Sequence, residues 1–437
     1  MALGGGTFTT QNKILPGSYI NFVSAAKASA TLSDRGIATM PLSLDWGVDG
    51  EVFEVTPGDF QKNSLKIFGY SFTDPKMAGL RDLFMNVKKV FCYKLTSGGA
   101  KADNTYCTAK YSGVRGNDLK VVITTNVDEP EAKKDIKILL DTTVVFEQLG
   151  VTNTDDLKPC DFVDWKSDVA LELTANLPLT SGTNAEVTGE AHQAYLDKIE
   201  SFSYNTMGVV TDDLSTKKLY VAFVKRMRDQ VGQKFQCVLY DQAADYEGII
   251  NVNSKAVDSD SVADLVYWVT GAEAGCPVNK SLLNTKYDGE FAVDTDKTQS
   301  QLEDAILKGE LVFHNVNGEV RVLMDINSFV SDTPDKTVEI FGENQCVRVM
   351  DQIANDIAVI FNNRYLGKVP NDDPGRVSFW SDIVKHHEQL QNIRAIQNFS
   401  EKDVTVVEGD KKNSVVVNDA VTITVAMAKL YMTVTVA

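Results

Sequence analysis

The chain has 437 residues, 43% hydrophobic and 24% charged, which is typical of a globular protein of two to four domains. Its formal net charge of −17 argues against a nucleic-acid partner, because phosphate binding requires a basic face. No apolar run is long enough to span a membrane. The opening MALGGGTFTTQNK has no basic region followed by an apolar core, so a signal peptide is not expected.

The first part of the chain contains a predicted flexible arm and an α/β segment. Residues 1–24 carry a GGG run and then SYINFVS, which alternates like a short strand. In residues 25–98, RGIATMPLSL is strand-like, and Pro41 indicates an edge strand or a strand end. Two predicted helices, which begin at TPGDF and DPKMA, and the strand KKVFCYKL complete a β-α-α-β unit.

Period-two patterns dominate residues 99–180. Short stretches such as LKVVITT, DIKILLDTT and VVFEQLG are separated by turn residues. Several short strands at regular spacing are typical of a small β-sandwich or barrel. We expect a β domain that is inserted between two α/β pieces.

Helices and strands alternate in residues 181–335, which predicts a sheet covered by helices. Within this part, ELVFHNVNGEVRVLMDI is predicted to be a hairpin with VNG at its turn. Residues 336–414 contain two long predicted helices, at 343–367 and 372–396. Strand-like stretches follow and continue into a terminal arm at 415–437. The predicted fold class is therefore a multidomain combination of α/β and α+β.

The sequence contains no common catalytic motif. It has four histidines and six cysteines, but no HExxH, GxSxG, GxGxxG, CxxC or phosphate-loop pattern. The cysteines are scattered over several predicted elements, which indicates reduced, partly buried thiols. We predict no catalytic residue, no metal and no cofactor, and we do not expect an enzyme.

The remaining polar candidates have ordinary structural roles in this prediction. His386 and His387 lie on a charged predicted helix, where a solvated face is expected. His314 lies in the predicted hairpin and is not expected to be functional. The acidic stretches VTDD (210–213) and DSDSVAD (258–264) precede predicted helices, so their carboxylates are expected to cap those helices.

The chain ends in AKLYMTVTVA, an alternating β-prone run with no charge after Lys429. In a strand, Met432, Val434 and Val436 would point to one side and Tyr431 to the other. The unpaired backbone groups of such a strand are a template for another chain. The residues alone support an intramolecular strand and a strand donated to a neighbour about equally.

Five stretches, in their order along the chain, resemble contractile phage tail sheath proteins from prophages of low-GC Gram-positive bacteria. They are GGGTFTTQNKILPGSYINFVSAA, SDRGIATMPLSLDWG, YSGVRGNDLKVVI, TGEAHQAYLDKIESFSYNTMGVV and VVVNDAVTITVAMAKLYMTVTV. The resemblance covers essentially the whole chain. It implies a subtilisin-like α/β core without protease activity, an inserted β-sandwich domain, a helical and β C-terminal domain, and strand arms at both termini.

The resemblance also implies a function and partners. Copies of the subunit would stack as rings, which we expect to be hexameric, around an inner tail tube protein. Terminal arms would add strands to neighbouring subunits, and contraction would drive the tube through a target envelope. Baseplate and tail terminator proteins are further expected partners, with no nucleic acid and no direct membrane insertion. We expect assembly in the bacterial host cytoplasm, followed by release in a virion or a phage-tail-like bacteriocin, which the sequence does not distinguish.

Two sets of residues carry these expectations. The predicted subunit-linking residues are Tyr19, Asn21, Val23, Val425, Tyr431, Met432, Val434 and Val436. The residues predicted to face the tube, from the helix at 376–396, are Arg376, Lys385, His386 and Arg394. The linkers GGG and KKNS (411–414) are predicted to be the joints that keep the arms attached during contraction.

Three alternative hypotheses stay open at this point. The tube-facing helix is equally consistent with an ordinary solvated face. An inactive or unrecognised hydrolase built on the α/β domain would require a convergent polar pocket, for which the sequence offers no candidate set. A static surface-layer or adhesin protein would require export, and the expected lack of a signal peptide argues against it.

Overall fold

A computed structural model describes residues 32–436 of the protein. The described residues fall into two units, which are treated separately below. The larger unit comprises residues 33–355, 390–398 and 421–436. The smaller unit comprises residues 356–389 and 399–420, together with Leu32.

The strands of the described residues are short, with two to nine residues each. In chain order they are β1 Ile37–Leu42, β2 Val52–Val55, β3 Lys89–Lys94, β4 Cys107–Ala109, β5 Leu119–Thr125, β6 Lys134–Leu140, β7 Thr143–Val151, β8 Val163–Trp165, β9 Thr174–Pro178, β10 Thr206–Val209, β11 Gln236–Tyr240, β12 Ile249–Val252, β13 Glu310–Leu311, β14 Phe313–Val316, β15 Glu319–Val322, β16 Ile396–Gln397, β17 Val404–Glu408, β18 Val415–Asp419 and β19 Thr422–Ile423.

The α-helices are longest near the end of the described chain. They are α1 Pro57–Phe68, α2 Ala78–Phe84, α3 Gly189–Ile199, α4 Leu214–Arg226, α5 Leu265–Gly275, α6 Gln299–Leu307, α7 Val338–Phe341, α8 Asn344–Ile360 and α9 Asp373–Asn392. α4 and α8 each continue into a π-helical turn, Met227–Val231 and Phe361–Tyr365.

The larger unit is built around a seven-stranded sheet with the order β13-β12-β11-β10-β1-β3-β2. Neighbouring strands are parallel, except that β2 is antiparallel to β3. A largely parallel sheet requires helices on both faces, because its strands are apolar on both sides. The predicted helix-covered sheet is confirmed.

Two apolar cores lie on the two faces of this sheet. Val238 of β11 belongs to one core with Trp268 of α5. The next residue, Leu239, belongs to the other core with Tyr220 of α4. Successive residues of a strand point to opposite faces, which explains why the buried strand QCVLY is apolar throughout its last four residues.

Local capping explains where the helices begin. Thr56 precedes α1, and its hydroxyl accepts a hydrogen bond from the Asp59 backbone N–H at 3.2 Å. The Asp59 carboxylate accepts in return from the Thr56 backbone N–H at 3.3 Å. The helix start at TPGDF is thus confirmed, and Gly69 ends the helix with a φ of 78° that favours glycine.

Residues 107–178 form an antiparallel β region. Its four-stranded sheet has the order β7-β6-β5-β9, and β4 pairs separately with β8. Val121 and Ile138 lie in its core, which also contains the buried Trp46 from the segment after β1. The prediction of a small β domain between two α/β pieces is confirmed.

The smaller unit consists of helix and hairpin. It contains the end of α8, its π-helical turn, α9 as far as Gln389, and the hairpin of β17 with β18. Phe379, Ile383 and Val404 lie in its apolar core. The indole N–H of Trp380 donates to the Val404 carbonyl oxygen at 3.0 Å and joins α9 to the hairpin.

The structure corrects three details of the predicted elements. β1 lies inside the sheet, so Pro41 does not mark an edge strand, although the predicted strand end is confirmed at Leu42. The predicted hairpin at 310–326 is shorter, because β13 joins the central sheet and only β14 and β15 pair across the turn. The end of the chain, beyond β19, contains no strand within the described residues.

Candidate assembly surface

The last described residues form an exposed segment that makes no hydrogen bond within the described part of the chain. Met427 is fully exposed, and Tyr431 and Val436 are each 88% exposed. No hydrogen bond joins residues 427–436 to any other described residue. We call residues 427–436 the C-terminal arm. Its apolar side chains are available to a partner.

The root of the C-terminal arm is held within the larger unit. β19 pairs with β16, and the Thr424 backbone N–H donates to the Ala395 carbonyl oxygen at 3.0 Å. The buried side-chain amide of Gln345 donates to the Thr424 carbonyl oxygen at 3.1 Å. It also accepts from the Ala426 backbone N–H at 3.0 Å. The chain is therefore fixed up to Ala426 and unbound after it within the described residues.

These contacts place the start of the unbound arm later than residue 415. Val415–Asp419 pairs with Val404–Glu408 in the same chain, along five residue pairs. The predicted linking residue Val425 lies between the two residues that Gln345 contacts, and it is 49% exposed. The other C-terminal candidates, from Tyr431 onward, lie in the arm. Tyr19, Asn21 and Val23 lie outside the described residues.

The hairpin of β17 and β18 offers unpaired strand edges. Within residues 32–436 each of its strands pairs only with the other. Val407 and Val416 expose 47% and 45% of their surface, respectively. A two-stranded hairpin is marginally stable by itself and gains from a third strand. The hairpin is therefore a site where another strand can add.

The predicted tube-facing residues do not share one environment. His386 is completely buried, so its predicted exposure to a tube is wrong. Lys385 is exposed on α9, whereas the side chain of Arg376 is 13% exposed and bound to Asp373 and Asn371. Arg394 is exposed but lies after α9, which ends at Asn392, and it has a φ of 63°. Of the four predicted residues, Lys385 and Arg394 are exposed in the described chain and stay candidates for a contact with the tube.

The solvated face expected for the two histidines is wrong. His386 Nε2 lies 3.0 Å from an Asp356 carboxylate oxygen, and His387 Nε2 lies 2.8 Å from an Asp419 carboxylate oxygen. The two Nδ1 atoms face each other at 3.3 Å. Both rings are completely buried. Together the four side chains connect α8, α9 and the end of β18 inside the smaller unit.

A buried charge cluster in the larger unit was also missed. Arg348 contacts carboxylate oxygens of Glu273 at 2.5 Å and Asp325 at 2.6 Å, and all three side chains are 1% exposed. Burial raises the pKa of Glu273, while the nearby Arg348 holds the pKa of Asp325 at about 2 against its own burial. The polar residues Gln345, Arg348 and Asp351 recur at three-residue spacing on α8, a signal that resembles a solvated face.

The described chain shows structural roles for its other reactive groups. Asp213 caps α4 by accepting from the Thr216 backbone N–H at 2.6 Å, as predicted. His192 is buried, with Nδ1 2.8 Å from the Tyr220 hydroxyl, and burial lowers its pKa. All six cysteines are free and buried, and burial raises the pKa of Cys276 to about 11.

Metal and membrane sites were also sought in residues 32–436. No group of three or more His, Cys, Asp or Glu side chains there is arranged to hold a metal ion. In the same residues, no helix is long and apolar enough to cross a membrane.

Models of known families match residues 35–328 and 336–437 of the chain. In order, the matches are to the tail sheath protein Gp18 domain III N-terminal region (residues 35–95), the phage tail sheath protein β-sandwich domain (95–184), the phage tail sheath protein central domain (185–328) and the phage tail sheath C-terminal domain (336–437).

Individual relatives agree with these matches. The crystal structure of a sheath tail protein from Desulfitobacterium hafniense is 35% identical, with a TM-score of 0.78 over 90% of this chain and 93% of that chain. The phage-like element PBSX protein XkdK of Bacillus subtilis is 30% identical over 99% of each chain. The helical sheath of the anti-feeding prophage in its contracted state is 12% identical, and its TM-score of 0.56 over 97% of this chain and 99% of that chain indicates a shared fold. The chain belongs to the family of contractile phage tail sheath proteins.

Proposed function

We propose that copies of this protein polymerise around an inner tail tube by donating the C-terminal arm to a neighbouring copy. The observation that carries the proposal is that the backbone hydrogen bonds of the described chain stop at Ala426. The backbone of Thr424 and of Ala426 is hydrogen-bonded within the chain, and after Ala426 the described residues are exposed and make no hydrogen bond. An exposed, alternating apolar segment on a fixed root is suited to strand addition.

The hairpin of β17 and β18 is the proposed acceptor. Its strands are five residues long, longer than the two-residue strands β16 and β19, and its outer edges are unpaired within the described residues. An added strand would also cover the half-exposed Val407 and Val416. The N-terminal residues Tyr19, Asn21 and Val23 are proposed as a second donor.

The addition of one arm to one acceptor hairpin contributes a modest free energy, but every subunit of the polymer repeats the contact. Each backbone hydrogen bond adds roughly 0.5–1.5 kcal/mol, and each buried aliphatic side chain adds about 1.5–3 kcal/mol. A strand with several of each exceeds the cost of ordering an exposed segment. The net charge of −17 opposes self-association, so assembly is expected to be stronger at higher salt.

Contraction requires joints that keep the copies connected while their cores move. The predicted joint KKNS is not a flexible linker, because Ser414 and Lys411 form a turn with hydrogen bonds of 2.8 and 3.0 Å between them. The peptide after Ala426 is the better joint, since Ala426 is the last residue of the described chain whose backbone makes a hydrogen bond. The predicted joint at GGG lies outside the described residues.

The remaining partners follow from family membership and stay proposals. Lys385 and Arg394 are proposed to face the tube protein through charge pairs. Baseplate and tail terminator proteins would close the two ends of the polymer, in rings that we expect to be hexameric. The particle, a virion or a tail-like bacteriocin, would assemble in the bacterial cytoplasm. The alternative of a hydrolase has no supporting site in the described residues.

Electron microscopy of the full chain beside a variant that lacks residues 427–437 tests the proposal. Removal from residue 415 would destroy β18, so a cut after Ala426 tests the arm without damaging the hairpin. We expect long hollow tubes from the full chain and monomers from the shortened chain. A matched control replaces residues 427–436 with a polar Gly/Ser segment of equal length, and it should stay monomeric. Tubes from the shortened chain would refute the donated arm.

A further inference from the structure

The smaller unit contains a preformed apolar groove beside the proposed acceptor strand. The groove has a volume of about 290 Å³. Its apolar lining includes Phe361, Tyr365, Val369, Phe379 and Val415. Val369 is 38% exposed, so the groove opens to the surface. An apolar groove of this size has room for a leucine or methionine side chain.

The polar wall of the groove is held by a small hydrogen-bond network. The side-chain amide of Asn371 donates to the carbonyl oxygens of Lys412 and Ser414, each at 2.9 Å. Arg376 in turn donates to the Asn371 carbonyl oxygen at 3.1 Å. These bonds connect the segment before α9 to the turn of the hairpin. The groove therefore exists before any partner binds.

The groove is continuous with the edge where a strand can add. Val415, which lines it, is the first residue of β18. Side chains of an added strand alternate between its two faces, so every second one lies on the face that Val415 occupies. A strand beside β18 would thus bring a side chain to the groove.

The chain itself supplies a matching occupant. From residue 429 onward in the C-terminal arm, the even positions carry Leu430, Met432, Val434 and Val436, and the odd positions carry Lys429, Tyr431, Thr433 and Thr435. Leu430 is 84% exposed and Met432 is 73% exposed in the described chain. The side chains of the arm include no carboxylate, so they carry no negative charge into an apolar groove. Its even face is apolar and unpartnered, as is the groove within the described residues.

We propose that the groove is a side-chain pocket that sets the face and register of a C-terminal arm donated by a second copy of this chain. An even-numbered side chain of the arm enters the pocket as the arm pairs along β18. This inference rests on the strand donation proposed above, and it adds a specificity element to that interaction. Backbone pairing alone would accept either face of the arm, whereas the groove accepts the even face.

Cysteine cross-linking between two copies tests the face of the arm. The acceptor lacks residues 427–437 and carries Val369→Cys, and each donor carries one cysteine at a position from 429 to 436. The six native cysteines are buried and do not compete. We expect disulfides with the even positions and few with the odd positions. A control acceptor with Val144→Cys, which replaces a 48% exposed residue of β7, should show no alternation.

A variant whose groove is filled by a larger side chain tests the pocket independently, through the affinity of the donor for the acceptor. The donor is the full chain with a fluorescent label, and binding is titrated against the shortened acceptor. Val369→Trp should weaken binding about tenfold or more, since burial of one aliphatic side chain is worth about that factor. Val359→Trp, at a 53% exposed site of α8 in the same unit, is the matched control and should bind normally. Unchanged thermal unfolding of both variants shows that they fold.

The outcomes separate this inference from strand donation. Normal donor binding with no even–odd alternation, or with no effect of Val369→Trp, overturns the pocket and leaves strand donation standing. Absence of donor binding to the shortened acceptor overturns both proposals. Cross-linking within one copy of the full chain, rather than between copies, would show that the groove takes its own arm and would overturn the proposed exchange.

Discussion

Gln345 and Thr424 are joined by a hydrogen bond of 3.1 Å from the side-chain amide to the backbone carbonyl oxygen. The same amide accepts from the Ala426 backbone N–H at 3.0 Å. A glutamine amide offers the same donor and acceptor as a peptide unit, so Gln345 substitutes for one residue of a neighbouring strand. The contact fixes the position from which the C-terminal arm leaves the larger unit.

Gln345→Ala should release the root of the arm. Two hydrogen bonds are lost, and we expect faster amide hydrogen exchange at residues 424–426 and fewer or shorter tubes in electron microscopy. Gln345→Glu places a buried carboxylate oxygen against the Thr424 carbonyl oxygen, so it should release the root at least as strongly. Gln299→Ala, on the exposed face of α6, is the control. Normal exchange rates in Gln345→Ala would show that the amide does not hold the arm.

Asp419→Ala should destabilise the smaller unit. His387 is completely buried, and its Nε2 would lose the carboxylate that lies 2.8 Å away. A buried polar group without a partner costs about 1–3 kcal/mol. Denaturant titration measures the loss, and Asn418→Ala, at the exposed neighbouring position of β18, should have little effect. Equal losses in both variants would contradict the structural role of the histidine pair.

Arg348→Ala should be strongly destabilising in the larger unit. It leaves the carboxylates of Glu273 and Asp325 buried without their cation, and such a change costs about 3–5 kcal/mol. Arg364→Ala is the matched control, because the Arg364 side chain is 40% exposed and its ion pair with Asp382 should contribute less than about 1 kcal/mol. A comparable loss in the two variants would argue against an essential buried cluster.

Asp82 should make stability depend on pH. Its completely buried carboxylate accepts from the Tyr287 hydroxyl and the Glu290 backbone N–H, each at 2.9 Å, and burial raises its pKa to about 6. An unfolded aspartate has a pKa near 3.9, so the folded state binds this proton more tightly. The contribution of this group to stability is therefore greatest below about pH 4 and falls by about 3 kcal/mol as the pH rises through 6.

Asp82→Asn removes this titration. We expect the variant to be more stable than the parent at pH 7, with the difference shrinking or reversing at pH 4, as measured by denaturant titration at both values. The exposed Glu303→Gln, on α6, provides the control and should show no such trend. A difference that is independent of pH would contradict the raised pKa of Asp82.

Charge reversal at Lys385 and Arg394 tests the proposed tube contact. The double variant Lys385→Glu with Arg394→Glu should bind the tube protein more weakly in a co-sedimentation assay, and added salt should reduce the difference between parent and variant. Lys308→Glu, at an exposed position after α6, is the control. Unchanged co-assembly would exclude these two side chains from the contact.

The predicted helices and strands are correct where residues a few positions apart determine the structure. Thr56 and Asp59 form their capping box within one helical turn, and the β region was visible from alternation alone. Prediction failed for the two histidines of α9, which were expected on a solvated face, and it missed Arg348 of α8, because polar residues at helical spacing resemble a solvated face. His386, His387 and Arg348 are instead buried, because their carboxylate partners reach them from other elements.

The sequence by itself determined the family, the order of the elements and the alternating apolar end of the chain. Only the tertiary structure decided that Val415–Asp419 is paired within its own chain, that Gln345 holds Thr424 and Ala426, and that the unbound arm begins at Met427. Propensity, capping and alternation depend on residues a few positions apart, so a sequence shows them directly. The arm is defined by distant partners, since Gln345 and Ala426 are 81 positions apart, and folding alone brings them together.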